Sequence, residues 1–206
     1  DWLQEEAYPN QALGRTILGP TERVSNFTKP DLADFVSEHY GPDQMILSAA
    51  GAINPDELLA RAEELVGHMP ERTQPHAAEP ASFAGGEKRV LKGLEQAHFA
   101  LAFEGPDYRN PGIYAAQIHA IAMGGGMSSR LFQELRENRG LCYTIFAQAG
   151  AYADTGMMTV YAGTSSEQLG ELATLTVDEM KRAADDMSAE EVARARAQMK
   201  AGMLMG

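Results

Sequence analysis

The 206-residue chain is 44% hydrophobic and 22% charged, the proportions of a folded globular protein with core enough for one ordinary domain or two small ones. Its 29 acidic against 17 basic residues give a formal charge of −12, which excludes a phosphate-reading surface and so nucleic acid as a partner, while favouring cationic peptides. The single cysteine, Cys142, excludes an intrachain disulfide and a cysteine-based metal site and makes a reducing, cytoplasmic compartment the expectation; no apolar run approaches the roughly 20 residues that cross a bilayer.

Asp1 opens the chain without a targeting segment, and "VARARAQMKAGMLMG" closes it on a helical pattern still running, so the sequence reads as a fragment cut at both ends. "TKPDLADFVSEHYG" predicts a helix, with Thr28 as N-cap, Asp31 three residues on, and Leu32, Phe35 and Val36 on one face. "QMILSAAGAI", Gln44 to Ile53, is short, apolar and free of proline, and predicts a buried strand. Asn54 and Pro55 then open a helix through "NPDELLARAEELVGHM". Residues 70–87, rich in proline and lacking periodicity, predict a linker and a domain boundary.

Beyond the linker, "KRVLKG" and "AHFALAFEG" predict two strands. "NPGIYAAQIHAIAMGGG" and "SSRLFQELRENRG" predict two helices, the second closed by Gly140. "CYTIFAQAGAY" and "GMMTVYAGT" flank turn residues Ala153 to Gly156 and predict an antiparallel hairpin. Thr164 with Glu167, and Ser188 with Glu191, have the spacing of capping boxes before the last two helices.

Chemistry-bearing residues are few. Gly124–Gly126 precede a helix as phosphate loops do, but no Lys-Ser/Thr pair follows, and a helix rather than a strand leads in; a tight helix connection or open backbone against another chain are the alternatives. "DTG" at Asp154–Gly156 matches the aspartic-protease triplet, yet it sits at a hairpin tip, where Asp and Gly serve turn geometry alone. His39, His68, His76, His98 and His119 are scattered, with no helix-spaced pair to hold zinc. Arg136 and Tyr143 stand seven residues apart across Gly140: either a helix-end charge and a core tyrosine, or a guanidinium and a phenol that donate hydrogen bonds to a peptide carbonyl.

"GGGMSSRLFQELRENRGLCYTIFAQAGAYADTGMMTVYAGT" resembles the second domain of the pitrilysin and mitochondrial processing peptidase family, zinc endopeptidases with an inverted H-x-x-E-H motif. "ALGRTILGPTERVSNFTKPDLADFVSEHYGPDQMILSAAGAINPDELL" is similar to the latter part of the first domain. The resemblance implies an α+β fold of antiparallel sheets covered by helices, of the LuxS/processing-peptidase-like metallohydrolase type. It implies the end of a first domain at 1–69, a linker at 70–87, and a truncated second, substrate-binding domain at 88–206. Arg136 and Tyr143 match the family's substrate-binding Arg and Tyr, and Gly124, Gly125 and Gly126 its glycine-rich segment near the substrate channel. No catalytic or metal residue is carried over; zinc and its general base are implied for the parent protein, leaving this chain inactive alone. A peptide substrate and a family partner domain or subunit, homo- or heterodimeric, are implied, with a non-catalytic, peptide-binding or structural subunit as the alternative.

Overall fold

The computed structural model describes residues 1–69 and 79–205. They divide into two units, Asp1–Thr16 with Pro80–Gly206, and Ile17–Glu79. Helix α1 (Trp2–Ala7) opens the chain in the first unit, and helices α2 (Thr21–Asn26), α3 (Lys29–His39) and α4 (Pro55–Val66) make up the second.

In the second unit the local signals act as the sequence dictates. At the start of α3 the Asp31 carboxylate accepts from the Thr28 backbone N–H at 2.7 Å and the Thr28 hydroxyl at 2.6 Å. Asn54 Oδ1 accepts the Asp56 N–H at 3.0 Å at the start of α4, where Pro55 gives up no needed donor. The expected strand at 44–53 is absent: a 3₁₀ turn over Pro42–Gln44 leads into irregular backbone, with Ile46 93% exposed. A strand needs a neighbour to take its backbone groups, and the described residues of this unit contain no other. For the same reason the stripe of Leu32, Phe35 and Val36 on α3 is formed but exposed.

The first unit carries the sheet. Strands β1 (Ala97–Gly105), β2 (Cys142–Ala151) and β3 (Gly156–Thr164) pair antiparallel in the order β1-β3-β2. Register sets three apolar rows across one face, Phe99–Ala162–Ile145, Leu101–Val160–Ala147 and Phe103–Met158–Ala149, as period-2 alternation requires. Helix α5 (Ile113–Gly124) lies between β1 and β2, helices α6 (Leu169–Asp186) and α7 (Ala189–Met205) come after β3, and Met123, Leu131, Leu135, Leu172 and Ala183 close the core against that face. On the opposite face His98, Tyr161 and Phe146 form an aromatic row, Tyr161 lying 6.0 Å from the His98 ring and 5.1 Å from that of Phe146. The α+β expectation of antiparallel strands covered by helices is met.

Two further expectations give way. "KRVLKG" at 88–93 is irregular, with Leu91 fully exposed; β1 is an edge strand, and on its side away from β3 no strand is found among the described residues. Thr164 does not cap α6: it ends β3, donating its hydroxyl to the Leu141 carbonyl at 2.5 Å, and the helix begins only at Leu169. The Ser188 box does form, its N–H and hydroxyl both reaching Glu191 Oε2, at 2.9 and 2.8 Å. The expected linker falls partly outside the described residues, at 70–78. The rest is pinned to the first unit: Ala81 N–H donates to Asp154 Oδ2 at 2.7 Å, Ser82 N–H to Gln11 Oε1 at 2.7 Å, and Ala84 N–H to the Ala7 carbonyl at 2.9 Å. No described helix is long and apolar enough to cross a membrane.

Candidate functional site

The segment that carries Arg136 is a helical turn of unusual width. Phe132–Asn138 is π-helical, a form that recurs at functional sites, where the sequence predicts an ordinary helix. Its inner side is fixed by Leu131 and Leu135, both fully buried. At its exit Gly140 takes φ +65°, the left-handed region that glycine enters without strain, and Leu141 N–H donates back to the Leu135 carbonyl at 2.8 Å. That reversal delivers the chain directly into β2.

The first residues of β2 are not a regular ladder. Cys142 stands opposite Thr164 and Thr144 opposite its neighbour Gly163, so Tyr143 is the extra residue of a β-bulge. Cys142 and Ile145 both point into the core, leaving Tyr143 and Thr144 exposed side by side. The Tyr143 carbonyl accepts Arg136 Nε–H at 2.9 Å, so the bulge and the π-helical turn are tied by the two residues that the sequence singles out. Arg136 Nη1 donates to Glu137 Oε1 at 2.9 Å, and its Cζ lies 4.4 Å from the centre of the Phe132 ring. No described protein group takes the Nη2 hydrogens. Arg136 is therefore a partly exposed cation braced on three sides, its Nε bonded to the main chain of a tyrosine that is itself 69% exposed.

Gly124–Gly126 join α5 to this region, and the three differ. Gly124 is buried against β2, where a Cβ would come within 2.2 Å of the Ala147 nitrogen. Gly125 caps α5, with its carbonyl held by Gln198 Nε2 at 2.6 Å from α7. Gly126 is exposed, and a Cβ there would meet only the Gln198 side chain, at 3.5 Å.

Behind the site sits a charge cluster. Arg130 donates through Nη2 to Glu191 Oε2 at 2.8 Å and through Nη1 to Asp186. Hydrogen bonding to Arg130 holds the Glu191 carboxyl down at about 2, and the same partners raise Arg130. Burial, with Arg130 adding to it, lowers His119 and so favours its neutral form. Burial pushes the Cys142 thiol up, with Arg136 opposing, so this cysteine is a core residue rather than a nucleophile. His98 bonds Tyr161 Oη at 2.8 Å, and His76 lies outside the described residues. Among the described residues no three His, Cys, Asp or Glu side chains come together as a metal site would need, so they do not fit a zinc ion.

The DTG triplet is structural. Asp154 holds Ala81, and Thr155 is buried with its Oγ1 3.1 Å from the Tyr8 hydroxyl, which also reaches the Gly156 carbonyl at 3.2 Å. Phe132, Glu137 and the bulge are contacts and geometry around Arg136 and Tyr143 that the sequence reading does not single out. The four-residue spacing of Phe132 and Arg136, and the break in alternation at Cys-Tyr-Thr-Ile, are the signals that point to them.

A one-sided antiparallel sheet with helices over its core face, and an arginine and tyrosine exposed where a π-helical turn meets a bulged strand, defines an α+β domain with no metal centre among its described residues. The chain belongs to the family described as the Peptidase M16 inactive domain, which it matches over residues 26–199. It is 36% identical to an uncharacterized zinc protease of Rickettsia felis over 96% of this chain and 48% of the relative. It is 33% identical to the human mitochondrial-processing peptidase subunit beta, over 100% of this chain and 44% of that one. The chain thus spans about half the length of the curated relatives it matches. The structure of a peptidase M16 inactive domain from Pseudomonas fluorescens superposes with a TM-score of 0.85 at 19% identity, over 96% of this chain and 49% of the other. A chain of Complex III2 from Candida albicans superposes at 0.87 with 24% identity, over 99% and 51%.

Proposed function

We propose that this chain supplies the substrate-gripping part of a zinc-dependent endopeptidase of the processing-peptidase type. In this reading residues 1–69 end a first peptidase-like domain, 70–87 link it onward and 88–206 belong to the second. Zinc and the general base would be held by another part of the parent protein, in keeping with relatives twice as long that are named zinc proteases. The observation that carries the reading is the braced Arg136 beside the exposed, bulged Tyr143. A guanidinium with free Nη2 hydrogens and a phenol are both donors to main-chain carbonyls, and two such donors fix the direction and register of an extended peptide. Gly126 gives that peptide low-profile backbone to pass over, Gly125 closes the end of α5 beside it, and Gly124 sets the helix against the strand that carries Tyr143.

The charge of −12 would draw cationic peptides towards the protein. Pairing with a second family domain or subunit belongs to the same reading, since a relative is named as a subunit and a structural neighbour belongs to a complex. The test is Arg136→Ala in the intact protein. Peptide hydrolysis should fall about 100-fold in kcat/KM with the melting temperature unchanged, the loss that follows when a scissile bond is misplaced by about 1 Å. Unchanged hydrolysis would refute the grip.

A further inference from the structure

An exposed arginine is a poor anchor when it is free, because its four side-chain torsions must be frozen each time it binds. In this protein the Nε hydrogen is already spent on the Tyr143 carbonyl, and Nη1 leans on Glu137, a carboxylate that is itself 49% exposed and screened by water. The contact left to fix the guanidinium is the Phe132 ring, 4.4 Å from Cζ, well within the reach of a cation–π attraction. Phe132 is partly buried and packs on the core that Leu131 and Leu135 anchor, so its ring cannot move aside as a surface side chain would. A leucine would fill part of the space but present no negative π face to the cation.

We propose, resting on the peptide-gripping reading above, that Phe132 is a positioning residue: its ring holds the Arg136 guanidinium ready, with its remaining donors set for a peptide carbonyl before the peptide arrives. In this role it acts through Arg136. The spacing of Phe132 and Arg136 on the π-helical turn brings the two into register, and the Tyr143 carbonyl sets the rotation of the guanidinium about its own bond.

The experiment is a double-mutant cycle in the full-length protein, read by equilibrium binding of a fluorescein-labelled, unstructured Arg/Lys-rich peptide and accompanied by thermal melts. Phe132→Leu should weaken binding about 5-fold, while Phe132→Tyr, which keeps the π face, should stay within about 2-fold of the parent. In the Arg136→Ala background Phe132→Leu should add nothing. Where Phe132→Leu does not fold, Phe132→Met, which fills the space without a ring, takes its place. An equal loss in both backgrounds would make Phe132 merely structural and overturn the proposal, as would full binding by the leucine and methionine variants while Arg136→Ala binds weakly. Full binding by Arg136→Ala would bring down the peptide grip itself, and the positioning role with it.

Discussion

Substituting Gly124 by alanine tests how closely helix and strand are pressed together under the site. The new Cβ would stand 2.2 Å from the Ala147 nitrogen, 2.8 Å from the Ala147 Cβ and 2.8 Å from the Phe146 carbonyl carbon. These are backbone and near-backbone atoms of β2, with no flexible side chain to swing away, so α5 must back off along its end. Overpacking of this kind costs about 1–3 kcal/mol and occasionally more, and a clash with backbone belongs at the upper end; the helix propensity that alanine adds recovers up to about 1 kcal/mol. A net loss of about 2–3 kcal/mol lowers the melting temperature of a chain this size by about 4–12 °C. Thermal unfolding followed by circular dichroism reads it directly, with Gly126→Ala as the control, since that Cβ meets nothing closer than 3.5 Å and should melt within about 2 °C of the parent. If Gly124→Ala also melts within about 2 °C, the close approach of α5 to β2 is not real, and Gly124 needs another explanation.

Other expectations follow from contacts elsewhere in the first unit. The Glu191 carboxyl, held at about 2 by Arg130, contributes stability that is fully present above its ordinary value of 4.5 and is lost as pH falls from there towards 2. With allowance for solvent screening this is worth about 1–2 kcal/mol, so the stability gap between the parent and Glu191→Gln, measured by denaturant unfolding, should narrow between about pH 7 and pH 3; a constant gap would contradict the assignment. Tyr8→Phe removes the hydroxyl shared by Thr155 and the Gly156 carbonyl, and with Thr155 buried it should cost about 1–2 kcal/mol, again in denaturant unfolding.

Local chemistry was legible wherever it closes on itself within a few residues. Thr28 with Asp31, Asn54, and Ser188 with Glu191 cap their helices as their spacing demands, and β1 and the hairpin fall where alternation and turn residues put them. What failed needed a partner distant in sequence. Residues 44–53 and 88–93 read as strands, but nothing in their own composition says whether a neighbour is there to pair with them. Thr164 has the spacing of a cap, yet the nearby Leu141 carbonyl competes for its hydroxyl and wins. Arg136 and Tyr143 were visible as a spaced pair. Their coupling through a main-chain carbonyl was not, because side-chain identity says nothing of where a backbone oxygen will point.

The bulge at the start of β2 has a bearing on why this tyrosine is present at all. Cys142 opposite Thr164 and Thr144 opposite Gly163 are already consecutive rungs, so a strand one residue shorter would close the same sheet and keep Ile145 and Ala147 facing inward. Tyr143 is in that sense a guest in the ladder: the pairing of β2 with β3 does not call for it, and its side chain is turned to the solvent.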